Sequence, residues 1–505
     1  MRLLIPAFTL SACLQLTAMG KPAETPGNDP KTEKPAEKES SQDPVVREGQ
    51  VKIDGKPINY KVTTGKLDLK SADGKPRASI FHVTYERKDV SDPAARPVMF
   101  CFNGGPGSSA VWLHLGGIGP RRVELPGDGT QAPNPPARVI ENAYSILDVC
   151  DVVFVDPVST GYSRPTDESK AGDFHGLDED IESVGDFVRR WITEHDRWAS
   201  PKYLLGESYG GVRVAGLSHH LQSRYGMSLN GVVLLSSLLD FRTLQNAQGS
   251  DLSYTVFLPT FTGTSHFHGK IKGDRDALVR ESREFAFGGY AAALLKGLDL
   301  QEDESKGIAE KLAALTGIEA AIWLKYRLRM DPLVFRSELL RAEGKVIGRF
   351  DARVAWDTTD RVAQSASYDP SYSLAYGAFS SAMLDYLGRD LGWKEDQPYE
   401  ILTGKVHPWR WNSQNQIVNL SNRLATAMRD NPHLRVLAMG GYTDLATPPD
   451  GVNYSIRHML DLPEGARANF SHTYYDGGHM FYLNPPDLVK MRMDLLEFLQ
   501  PAKAD

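Results

Sequence analysis

Five short apolar runs constrain this chain more than any other feature. They are "PVMFCF" from Pro97, "VVFVDPV" from Val152, "KYLLG" from Lys202, "GVVLLSS" from Gly231 and, far downstream, "LRVLAMG" from Leu434. Runs this continuously apolar suit strands buried on both faces, as in a parallel sheet. Between the second and third lies "DEDIESVGDFVRRWITEHDRW", whose apolar positions Ile181, Val184, Phe187, Val188, Trp191 and Ile192 follow helical spacing. Strand, helix, strand is a βαβ unit with a right-handed crossover. From Val45 to Lys88 the pattern is instead alternating and broken by the turn signals "DGKP" and "ADGKP", which predicts an antiparallel opening. From 240 to 375 the runs "DALVRESREFAFGGYAAALLKG", "KGIAEKLAALTGIEAAIWLKYRL" and "PLVFRSELLRAEG" read as helices. The expected fold class is therefore α/β: a mostly parallel central sheet flanked by helices, carrying an inserted, mostly helical cap. The core occupies 45–239 and 376–505, and the cap 240–375.

The stretch "YLLGESYGGVRVAG" places Ser208 between glycines at the junction of a strand and a helix. Gly206-Glu207-Ser208-Tyr209-Gly210 fits G-x-S-x-G, a sharp turn that lifts the serine hydroxyl above a sheet. A nucleophilic serine needs a base, an acid that orients the base, and donors for the oxyanion. Asp444 in "AMGGYTDLATPP" and His479 in "YYDGGHMFYLNPP" supply acid and base in the chain order this turn requires. Each alone reads equally well as a turn residue; the ordered set points to Ser208, Asp444 and His479 as a catalytic triad. "CFNGGPGSSAVW" follows a strand and offers a glycine-rich loop for one oxyanion donor.

Taken together, "NGGPGSSA", "VFVDPVSTGYS", "GESYGG", "GGYTD" and "GGHMFYLNPP" resemble the serine carboxypeptidase family, S10, in one of its bacterial branches. The resemblance implies an α/β-hydrolase core and release of C-terminal amino acids from peptides with a free C-terminus, without metal or cofactor. It implies that the N–H groups of Gly105 and Tyr209 form the oxyanion hole. It also implies that Asn103 and Glu207 hold the substrate's terminal carboxylate, which requires Glu207 to be protonated. Two departures bear on this. The family's cysteine after N-G-G-P-G is missing, so Ser108 follows Gly107 directly. Gly117, in "LGGIGP", stands where many members carry a second glutamate paired with the first. An esterase or acyltransferase on the same scaffold is the alternative; a non-catalytic binding protein is a third reading.

The N-terminus, "MRLLIPAFTLSACLQLTAMGK", has one basic residue, an apolar run and then small residues, the pattern of an export signal over 1–20. "LSAC" resembles a lipobox, which would make Cys13 a lipid anchor. Residues 21–44 are rich in Pro, Lys, Glu and Ser and read as a disordered tether. The expected location is periplasmic or extracellular. No other segment has the apolar length of a membrane span. A net charge of −7 argues against nucleic acid as a partner. Cys101 and Cys150, both in apolar runs, read as buried free thiols, although export would permit a disulfide. "HFH", from His266, reads as an exposed cap loop rather than a metal site. Trp112, Trp323, Trp409 and Trp411 could line a pocket, but read more simply as core.

Overall fold

The computed structural model describes residues 43–500. The expected export signal, Cys13 and all of the expected tether except Asp43 and Pro44 lie outside the described residues.

Nine strands run in one path through a ten-stranded sheet. They are β1 (Val45–Ile53), β2 (Lys56–Lys70), β3 (Pro76–Arg87), β4 (Val98–Phe102), β5 (Asp151–Val155), β6 (Lys202–Glu207), β7 (Gly231–Leu235), β8 (Arg435–Gly441) and β9 (Phe470–Tyr475). The order is β1-β2-β3-β5-β4-β6-β7-β8-β9, with Arg164–Pro165 added beside β3. β1, β2 and β3 pair antiparallel, and β3 joins β5 antiparallel. From β5 to β9 every pairing is parallel. This is the α/β-hydrolase sheet, and the five apolar runs are five of its six parallel strands.

Alternate residues of these strands serve two cores, which is why both faces had to be apolar. Val98, Phe100, Phe102, Leu204 and Val232 pack on α1 (Leu177–Glu194), α2 (Tyr209–Tyr225) and, lower in the chain, Leu424 and Met428. Met99, Cys101, Leu205 and Val233 face the opposite way, toward Phe379, Tyr386, Met491 and Leu495. Cys101 and Cys150 are both buried free thiols.

Between β7 and β8 the chain leaves the sheet. Helices α3 (Leu252–Phe267), α4 (Arg275–Phe285) and α5 (Glu302–Thr316) build a separate apolar cluster around Phe257, Phe261, Trp323 and Phe335. Three details differ from the sequence-based expectation. The boundary at 375 falls inside α6 (Pro370–Arg389), whose Phe379, Met383 and Tyr386 pack on the sheet rather than on the inserted helices. The insertion also holds a small antiparallel ribbon, Lys345–Ile347 with Ala355–Asp357. Finally, "HFH" is not a loop: His266 and Phe267 end α3 and His268 caps it. The two histidines hydrogen-bond the carbonyls of Gly273 and Ala352. The C-terminal part adds α7 (Ser421–Asp430), α8 (Pro449–Arg457) and α9 (Pro485–Leu499). No helix among the described residues is long and apolar enough to cross a membrane.

Candidate active site

Ser208 sits in the single residue between β6 and α2, with φ 61° and ψ −127°. A non-glycine residue held there costs on the order of 1–3 kcal/mol, so the surroundings must enforce it. They do so by close approach. The Ser208 N–H donates to the Leu235 carbonyl (3.1 Å), and its own carbonyl accepts from Gly211 N–H (2.9 Å). A Cβ on Gly206 would overlap the Gly210 carbonyl oxygen, and one on Gly210 would lie 2.5 Å from the Phe102 carbonyl oxygen. Ser208 is half-buried while Glu207 and Tyr209 on either side are buried, so of the three the hydroxyl is the group presented outward.

The loop after β4 meets this turn. A Cβ on Gly104 would lie 2.5 Å from the Tyr209 nitrogen, so only glycine lets the two backbones touch. Tyr209 opens α2, where N–H groups have no intrahelical acceptor. Gly105, at φ +103°, is exposed. The Gly105 and Tyr209 amides are thus neighbours in space, one on the loop after β4 and the other at the start of α2. Buried Arg213 of α2 fastens the loop by donating to the Asn103 carbonyl (2.7 Å), while its Nε pairs with Asp180 of α1 (2.8 Å).

Asp444 follows β8 and His479 follows β9, at the same edge of the sheet. Asp444 Oδ2 lies 2.9 Å from His479 Nδ1. Asp444 Oδ1 accepts from the N–H groups of Ala446 (2.8 Å) and Thr447 (2.9 Å). The Thr447 hydroxyl is 2.8 Å from Asp444 Oδ2 and 3.0 Å from His479 Nδ1. Burial pulls the His479 pKa down, but the charge and hydrogen bond of Asp444, with the charge of Glu207, outweigh it and leave it raised. The inserted segment reaches this point too. The Phe350 carbonyl accepts from His479 N–H (2.5 Å), and the Phe350 ring lies 5.2 Å from the imidazole. Ser208 Oγ makes no hydrogen bond to His479 in this structure, so the serine and the Asp444–His479 pair are adjacent without being joined; such contacts tighten when substrate binds.

Glu207 and Asn103 are both buried. Burial pushes the Glu207 pKa up to about 7, against the opposing pull of His479, Tyr482 and Asn103. Tyr482 donates its hydroxyl to Glu207 Oε2 at 2.7 Å. Asn103 Oδ1 accepts from Leu113 N–H (3.1 Å), while its Nδ2 is buried with no partner in hydrogen-bond geometry. A buried amide donor beside a carboxyl that keeps its proton up to about pH 7 can receive an anion's oxygens. Gly117 lies against the ring of Tyr482.

The structure therefore brings together all seven residues singled out from the sequence. It adds Tyr482, Phe350, Thr447 and the Asp180–Arg213 pair. Thr447, three residues after Asp444, carried a local signal as a hydroxyl that can bond a turn aspartate. Tyr482 lay inside a quoted motif with no role attached, and Phe350 comes from a segment with no motif. Of the four tryptophans, Trp323 is buried in the inserted cluster and Trp112 in the main core. Trp409 and Trp411 pack edge-on to Tyr209, at 5.6 and 5.9 Å between ring centres.

Comparison with known proteins gives the family and the fold. The family model described as serine carboxypeptidase matches residues 54–479. Serine carboxypeptidase-like 8 of Arabidopsis thaliana is 27% identical over 168 residues, 32% of this chain and 35% of that protein. Serine carboxypeptidase-like 16 of the same plant is 26% identical over 200 residues, 38% of this chain and 43% of that protein. The chain thus spans well under half the length of these curated relatives. Among solved structures, a prohormone-processing carboxypeptidase of Saccharomyces cerevisiae, Kex1, superposes with a TM-score of 0.53 at 16% identity, covering 87% of this chain and 91% of that one. That likeness concerns the fold, while the family model covers most of the chain, from before the loop at Asn103 to His479: the chain belongs to the serine carboxypeptidase family.

Proposed function

We propose that this protein is an exported serine carboxypeptidase of a bacterial branch of the family, removing single residues from the C-termini of peptides. The observation that carries the reading is the juxtaposition of buried Glu207, its pKa pushed up to about 7, with the buried Asn103 amide, directly beside Ser208. An esterase has no terminal carboxylate to hold and no use for such a pair.

In this reading Ser208 Oγ attacks the last peptide carbonyl while His479 accepts its proton, with Asp444 fixing the imidazole and stabilising its charge. The Gly105 and Tyr209 N–H groups take the developing oxyanion. Asn103 Nδ2 and the neutral Glu207 carboxyl donate to the terminal carboxylate. The C–N bond breaks as His479 returns the proton to the leaving amino acid, and water then hydrolyses the acyl-enzyme by the same route. The insertion between β7 and β8 serves as a cap, supplying Phe350 beside His479. Residues 1–20 act as the export signal, with Cys13 as a possible site of lipid attachment and a periplasmic or extracellular destination.

The test is release of the C-terminal amino acid from a blocked dipeptide, beside the same dipeptide amidated, from pH 4 to 8, with Ser208→Ala as control. Cleavage of the free acid, poor cleavage of the amide and a dead control support the reading. Cleavage of simple esters but of neither peptide would replace it with an esterase or acyltransferase.

A further inference from the structure

We infer that Tyr482 is a positioning residue for carboxylate recognition, holding the Glu207 carboxyl beside Asn103 in the space a second carboxyl at position 117 would otherwise need. The inference rests on the carboxypeptidase reading and deepens it.

Two glycines seat the ring. A Cβ on Gly116 would come within 2.6 Å of Tyr482 Cε2. A Cβ on Gly117 would make only ordinary contacts, 3.5 Å to Met491 Cε and 3.7 Å to Tyr482 Cγ, so a side chain there would start against the same ring. The turn that carries both glycines, Leu113–Ile118, is fixed by Asn142 Nδ2, which donates to the carbonyls of Gly117 (2.9 Å) and Gly119 (2.8 Å). Tyr482 itself is buried, and its hydroxyl finds Glu207 Oε2 at 2.7 Å. Glycine at 117 and tyrosine at 482 are thus parts of one arrangement.

The chemistry differs from that of two carboxyls. A carboxyl pair shares a proton, and either member can carry it. Tyr482 keeps its proton, because burial and the Glu207 charge hold its hydroxyl well above the usual phenol range. It is a permanent donor to Oε2, which leaves Oε1 as the oxygen that carries the Glu207 proton and offers it to the substrate. The other groups acting on Glu207 are His479, Asn103 and Asp444. With Tyr482 as a fixed donor, recognition of the terminal carboxylate follows one titrating carboxyl.

The experiment compares kcat/KM for a blocked dipeptide and its C-terminal amide, from pH 4 to 8, in wild type, Tyr482→Phe, Glu207→Gln and the double variant. Reaction of Ser208 with an organophosphonate verifies that each is folded at the elbow. Tyr482→Phe should raise KM for the free acid about three- to tenfold, the size of one lost neutral hydrogen bond. It should leave kcat and the amide nearly unchanged, and move the alkaline fall-off of the free acid to higher pH, because the ionised form has lost its donor. In the Glu207→Gln background Tyr482→Phe should move no fall-off. An equal loss on both substrates, an unmoved fall-off, or the same effect in both backgrounds overturns the inference. If wild type shows no preference for the free acid, the carboxypeptidase reading itself fails, a result distinct from any behaviour of the variants.

Discussion

Arg213 and Asp180, on the two helices that flank β6, form a fully buried ion pair at 2.8 Å, and the same guanidinium holds the Asn103 carbonyl. The pair therefore couples stability to the shape of the loop after β4. Arg213→Met should destabilise the protein by about 3–5 kcal/mol, because Asp180 is left buried and alone. Replacing both, as Asp180→Leu with Arg213→Met, should recover most of that loss. Activity should not return with it, since the Asn103 carbonyl still lacks its donor. Urea unfolding beside kcat/KM on the free-acid dipeptide separates the two effects.

The pH dependence should divide by substrate. Cleavage of the amide requires neutral His479 but no neutral Glu207. Cleavage of the free acid requires both. The ratio of the two rates cancels His479 and isolates Glu207, whose pKa stands at about 7. That ratio should be flat at low pH and fall as pH rises through about 7. In Glu207→Gln it should stay flat to pH 8. A ratio that falls equally in both proteins would remove Glu207 from carboxylate recognition.

The same carboxyl makes a stability prediction. Its pKa rises from 4.5 in the unfolded chain to about 7 when buried. Between those values the folded state holds a proton that the unfolded state has released, so this group's contribution to stability falls as pH rises through the window. Well below 4.5 it costs nothing; well above 7 the whole cost, on the order of 3 kcal/mol, is present. Glu207→Gln should therefore gain stability relative to wild type across this range, read as the difference in unfolding midpoint at pH 4.5 and pH 8. His479 acts in the same direction, since its raised pKa favours the folded state at low pH and that advantage is lost as pH rises; the part owed to Asp444 is common to both proteins and cancels, while the part owed to the Glu207 charge goes with the substitution.

How much of this was legible depended on how local each signal was. Strands buried on both faces announce themselves by unbroken apolar runs, so β4 to β8 were readable. β9, "FSHTYY", was not, because it is an edge strand with several half-exposed positions. α3 was missed for a different reason. Nearly every residue from Ser253 to Ser265 is buried, so no polar face marks the turn of the helix, and Pro259 sits inside it. α6 is similar, with small and aromatic residues on most sides and a weak polar face. The segments that carry Ser208, Asp444 and His479, and the glycine loops, were legible because each is a short segment whose backbone geometry dictates residue type. The contact of Tyr482 with Glu207 joins positions 275 apart in the chain, and no spacing rule reaches it.

Thr447 gives the last prediction. Its hydroxyl bridges Asp444 Oδ2 and His479 Nδ1 while its N–H supports Asp444 Oδ1. Thr447→Val keeps the backbone donor and removes the bridge together with the hydroxyl's contact to the Ser236 carbonyl (2.6 Å). The carboxylate still accepts from Ala446, so it stays in place. The expected cost is about three- to tenfold in kcat, the size of one neutral hydrogen bond. Asp444→Asn is different in kind. The amide can present its Nδ2 to the imidazole, which favours the tautomer with the proton on Nε2, where the Ser208 proton has to go. A loss on the order of 10⁴ in kcat should follow, with KM little changed and the fold intact. If the two substitutions cost the same, the Asp444–His479 hydrogen bond is not what prepares the base, and the bridge through Thr447 would have to be.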